Sequence, residues 1–114
     1  MKNLKRQLQD YLKGYMVDAE HFSIEDFKVN YPTALDIELT QTLLMREDIE
    51  KHKILLTPDE RRHLSEADQE FLQLWENVKH LRTENPHVKL AIGVLSELVE
   101  LLKKDEKQPT QTTA

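Results

Sequence analysis

Apolar residues recur along this chain at alternating spacings of three and four. Met1, Leu4, Leu8, Tyr11 and Tyr15 form one such series. Leu64, Ala67, Phe71, Leu74, Val78 and Leu81 form a second, and Val88, Ala91, Leu95, Leu98 and Leu102 a third. That spacing keeps apolar side chains on one face of an α-helix, as in an a/d seam. Seams of this kind favour helices packed at shallow crossing angles of about 20°. The pattern predicts an all-α fold, a small bundle of four to five helices.

Helix-start chemistry divides the chain. Ser23-Ile24-Glu25-Asp26 places a hydroxyl at an N-cap and a carboxylate three residues on, with Phe22 and Phe27 placed as a hydrophobic staple. Thr57-Pro58-Asp59-Glu60 combines a hydroxyl cap, a proline at the first helical position and acids in the first turn. Asn85-Pro86 reads as a break followed by a new start, because proline pushes the residue before it out of the α region. The expected spans are 2–16, 23–29, 34–53, 58–84 and 86–104. The last two form an αα-hairpin at the C-terminal half, with one long helix kinked at Pro86 as the alternative. Residues 1–104 read as a single helical domain and 105–114 as a disordered tail with nothing to bury.

One segment is ambiguous. Leu35, Ile37 and Leu39 alternate with Asp36, Glu38 and Thr40, the period of a strand. Leu43, Leu44, Met45 and Ile49 then return to helical spacing. A lone strand needs a partner, and 53–56 is the only candidate, so helix is favoured throughout.

Composition narrows the class. With 114 residues the chain matches one domain and can bury a modest core. There is no cysteine, which excludes disulfides, thiolate metal sites and a cysteine nucleophile and fits a reducing, cytoplasmic setting. No apolar run reaches the roughly 18 residues of a membrane span, and no secretory signal pattern is present. The net charge of −5 argues against a general nucleic-acid role, although residues 1–16 carry +3 and leave −8 to the remainder.

Candidate chemistry is sparse. Glu60 and His63 match the E-x-x-H spacing of carboxylate-bridged metal bundles, but only one copy is present. Asp48 with His52, and Glu76 with His80, are i, i+4 pairs that usually act as solvated helix pairs. None of the five histidines sits in a nucleophile pattern, and Gly14 and Gly93 stand too far apart to form a phosphate loop. The expectation is therefore no catalytic residue, no metal and no cofactor. The basic first helix is expected to dock on its own acidic chain rather than on a membrane surface. Phe22, Phe27, Tyr31 and Trp75 are expected core anchors.

The last helix is the most informative feature. Leu90, Val94 and Leu101 widen its apolar stripe to an arc of about 200°, twice the roughly 100° that an ordinary surface helix buries. The expected interface residues are Leu90, Val94, Leu98, Leu101 and Leu102. They point to a non-enzymatic protein–protein interaction or regulatory module that forms a homodimer or binds another protein. Two alternatives are a small metal-dependent enzyme built around Glu60 and His63, and a nucleic-acid-binding regulator using Lys2, Lys5, Arg6, Lys13, Arg61 and Arg62.

Overall fold

The computed structural model describes residues 3–28 and 34–107, with side chains described through Lys104. Five α-helices span these residues: α1 (Leu4–His21), α2 (Ile24–Lys28), α3 (Leu35–Lys51), α4 (Pro58–Val78) and α5 (Pro86–Lys107). A 3-10 turn covers Lys53–Leu55, and the described residues contain no strand. The expected all-α bundle is what the chain forms, and the strand-like segment Leu35 to Thr40 is the start of α3.

Local signals set the helix starts. Asn3 caps α1 by accepting from the Arg6 amide at 3.1 Å. Thr57 and Glu60 form a reciprocal capping box: the Glu60 amide donates to Thr57 Oγ1 at 3.1 Å, and the Thr57 amide donates to Glu60 Oε1 at 2.9 Å. Asn85 Oδ1 accepts from the amides of His87 at 2.8 Å and Val88 at 3.3 Å, so Pro86 opens a new helix rather than kinking a long one. Ser65-Glu66-Ala67-Asp68, which also places a carboxylate three residues after a hydroxyl, lies inside α4.

Three helix ends differ from expectation. Helix α1 continues past residue 16 to His21 because its buried stripe runs Leu8, Leu12, Tyr15, Ala19, rotated one step from the predicted series. Helix α4 stops at Val78 rather than 84, closed by a turn in which the Leu81 amide donates to the Val78 carbonyl at 2.8 Å and Leu81 tucks against the core. Helix α5 runs to Lys107, three residues past the expected boundary, and 108–114 lie outside the described residues. Met1, Lys2 and Tyr31 also lie outside them.

Side-chain pairs fix the directions. Lys5 pairs with Glu60, Tyr15 with Asp68 and Phe22 with Phe71, so α1 and α4 run parallel. Thr42 meets Asp18 and Met45 meets Gly14, so α3 runs antiparallel to α1. His87 Nδ1 lies 3.5 Å from Asp36 Oδ1, joining the first turns of α5 and α3. Those two helices share the most extensive helix–helix contact in the molecule and run parallel, side by side. Helices α1 and α4 thus lie against α3 and α5, with the core between them. That core takes Leu8, Leu12, Tyr15, Phe27, Leu39, Ile49, Leu64, Phe71, Val78 and the whole third series from Val88 to Leu102. Phe22 and Trp75 pack partly buried against it. The basic first helix is docked on its own chain, with Leu8, Leu12 and Tyr15 buried.

Candidate functional site

Three places hold more chemistry than packing requires. The first is buried. Arg46 of α3 is fully covered, and so is Thr42 one turn earlier. Arg46 donates to Asp68 of α4 through Nε at 3.0 Å and Nη2 at 2.9 Å, and to Glu50 through Nη1 at 2.8 Å. The Tyr15 hydroxyl donates to the same Asp68 Oδ1 at 2.6 Å, and the guanidinium carbon lies 5.9 Å from the Tyr15 ring centre. Burial, then the Asp68 carboxylate, pushes the Tyr15 phenol well above its usual range, so it remains a proton donor. Burial alone would favour a neutral Arg46, but the Asp68 hydrogen bonds and charge outweigh it and hold the guanidinium more firmly protonated than usual. This bidentate fork ties three helices at one level, a directional contact suited to fixing helix register.

The second place is a cleft of about 170 Å³ between the start of α1 and the end of α3. Leu4, Gln7, Leu8 and Tyr11 line one side, Asp48 and His52 the other. Gln7 Nε2 donates to Tyr11 Oη at 3.0 Å, which uses part of the polar lining internally. The volume falls below the roughly 300 Å³ of a small-molecule pocket. Asp48 and His52 supply two metal-type ligands, and no group of three such residues occurs among the described residues.

The third place is the outward face of the α3/α5 layer. At about 3.6 residues per turn, Ile37 and Leu44 share the α3 face opposite Leu35, Leu39 and Arg46. They are 58% and 56% exposed. On α5 the corresponding face carries Lys89, Leu90, Gly93 and Glu97, with Leu90 58% exposed. Val94 and Leu101, each partly buried, lie on the flank of α5 that turns toward α3. Because α3 and α5 lie side by side and each buries its opposite face, these residues look out in one direction.

No family model, curated protein or solved structure matches this chain.

The expected site residues separate accordingly. Leu98 and Leu102 belong to the core, at 0% and 1% exposure, because α5 packs along both α3 and α4. They drop out of the expected interface, and Leu90, Val94 and Leu101 remain. Glu60 is occupied by the capping box, Lys5 and Gln9, which draw its carboxyl down to about 2, the Thr57 backbone contributing most. His63 therefore gains no carboxylate partner from it. Glu76 pairs with Lys79 at 2.7 Å rather than with His80, which lies beyond the helix end. Arg61 donates to the Ile54 carbonyl, and Arg62 pairs with Asp59. Lys5 pairs with Glu60 and Arg62 with Asp59, so acids stand beside these basic residues.

Two residues of the buried cluster were legible only in part. Asp68 falls four residues after Leu64 and three before Phe71; Arg46 falls three after Leu43 and three before Ile49. Each is a charge inside an apolar stripe, and the two have opposite sign. That is the signal that could have paired them. Among the described residues, no helix is long and apolar enough to cross a membrane.

Proposed function

We propose that this chain is a non-enzymatic helical interaction or regulatory module that self-associates through the outward face of the α3/α5 layer. The observation that carries the reading is the apolar content of that face: Ile37, Leu44 and Leu90 are all more than half exposed on two adjacent helices. Val94 and Leu101 extend it along the seam between them. Scattered apolar residues are ordinary on a protein surface, but several gathered on the outward side of one layer favour an interface. A second copy is the simplest partner, since a two-fold axis lets one patch cover itself.

Sedimentation equilibrium of the whole chain tests this. The expected result is a reversible dimer that Leu44→Glu and Leu90→Glu each weaken by about 10-fold or more, the scale of an interface anchor. Both variants should keep the helical circular dichroism of the parent. A monomer at every concentration contradicts the reading.

A further inference from the structure

Gly93 occupies the middle of α5 on its exposed side, and an added Cβ there would meet nothing within 4 Å. Gly14 is different: its added Cβ would lie 3.3 Å from Met45 Sδ, where α1 approaches α3. Close packing within the chain accounts for Gly14 and not for Gly93. Glycine in a helix interior is less favourable than alanine, so the monomer would be more stable with a side chain at this position. A bare stretch of helix surface lets a second backbone approach closely.

We propose that two copies pair face to face about a two-fold axis at Gly93, with α5 antiparallel to the α5 of the partner. The geometry rests on the self-association reading and specifies it. Charge supports it first. Lys89 and Glu97 stand four residues to either side of Gly93, on the same face. The axis sets Lys89 of one copy against the partner's Glu97, and the reverse, giving two opposite-charge pairs at the crossing. Within its own chain Lys89 reaches Glu84 at 4.0 Å, and both side chains are well exposed.

The apolar residues support it independently. The His87–Asp36 contact sets Gly93 level with Thr42 on the parallel α3. The midpoint of Ile37 and Leu44 falls between Thr40 and Gln41, within two residues of that level. One axis therefore serves both helices: it crosses the two α5 helices at glycine and brings Ile37 and Leu44 close to the partner's Leu44 and Ile37. The face is about 25 Å long and two helices broad, on the order of 500 Å² in flat projection. That is near the lower end of specific interfaces and suits a dimer that dissociates on dilution.

Charge reversal tests the pairing on the full chain, read by sedimentation equilibrium. Lys89→Glu alone sets glutamate against glutamate, and Glu97→Lys alone sets lysine against lysine. Each variant should dimerise about 10-fold more weakly than the parent. Mixed together they should associate with each other at close to the parent affinity, because both pairs are restored in the mixed dimer. Gly93→Leu should raise the melting temperature measured at dissociating dilution, yet block association. If the parent dimerises and all three variants dimerise equally well, the Gly93 geometry is overturned while self-association stands. If the parent is a monomer throughout, both fall.

Discussion

Helices α3 and α5 lie side by side, yet they divide polar and apolar residues in different ways. Helix α5 buries an unbroken apolar stripe from Val88 to Leu102 and turns mainly charges outward. Helix α3 buries Thr42 and Arg46 among its leucines and exposes Ile37 and Leu44. Burial of α5 is driven by the hydrophobic effect alone, which fills a core without fixing how far one helix slides along another. In α3 a directional fork does that work, since Arg46 meets Asp68 in only one register. A buried ion pair contributes little net stability, but a broken one costs several kcal/mol, so the fork penalises wrong registers more than it rewards the right one. Ile37 and Leu44, left outside α3, stay more than half exposed among the described residues.

The largest effect separates the two faces of α5. Leu98→Asp puts an unpaired charge at a fully buried position and should cost about 5 kcal/mol or more, enough to unfold a domain of ordinary stability. Leu90→Asp, on the exposed side, should leave the dissociated monomer within about 0.5 kcal/mol of the parent. Thermal melts followed by circular dichroism check both. Equal losses would mean that the inward and outward faces have been assigned wrongly.

The next effect separates α3 from α5. Arg46→Met alone leaves Asp68 buried without its cation and should cost about 3–5 kcal/mol in urea unfolding. Adding Asp68→Leu and Tyr15→Phe removes the stranded partners and should recover most of that loss. If the triple variant recovers stability but shows poorly dispersed amide spectra, the fork supplies register. If it stays sharply folded, register comes from packing.

A smaller effect lies outside both helices and serves as a control. The Glu60 carboxyl is held near 2, against an ordinary value of 4.5, by the Thr57 backbone, Gln9 and Lys5. A lowered carboxyl stabilises the fold above its unfolded value and loses that contribution as pH falls from 4.5 toward 2. Glu60→Gln should cost about 1 kcal/mol at neutral pH, typical of a capping contact, and flatten the acid limb of a stability profile. An unchanged acid limb would show that the α1–α4 clamp carries no such linkage.

The same contrast explains what could be read from the residues. Helix α5 was legible in detail because hydrophobic period, Asn85-Pro86 and burial all agree. Helix α3 was ambiguous because its outward Ile37 falls between inward Leu35 and Leu39, which imitates the alternation of a strand. Helix α1 looked shorter than it is because a seam drawn through Tyr11 ends at Tyr15, whereas the buried stripe passes through Leu12 to Ala19. Of the five residues expected on the wide arc of α5, Leu90 is exposed, Val94 and Leu101 are partly buried, and Leu98 and Leu102 are needed inside. The α3 half of the face could not be found without knowing that α3 and α5 run parallel, a fact set by tertiary contacts across fifty residues of chain.

The central claim is that the surplus apolar surface of α3 and α5 is one face covered by a second copy. Methyl-detected NMR of the whole chain over a dilution series of about 1 mM to 10 µM tests it most directly, since that range brackets the dissociation of a weak dimer. The predicted result is that methyl signals of Ile37, Leu44, Leu90, Val94 and Leu101 shift together on dilution. Val17 and Ile54, exposed elsewhere at 60% and 82%, should stay fixed. Shifts confined to Val17 or Ile54, or no shift at any concentration, would contradict it.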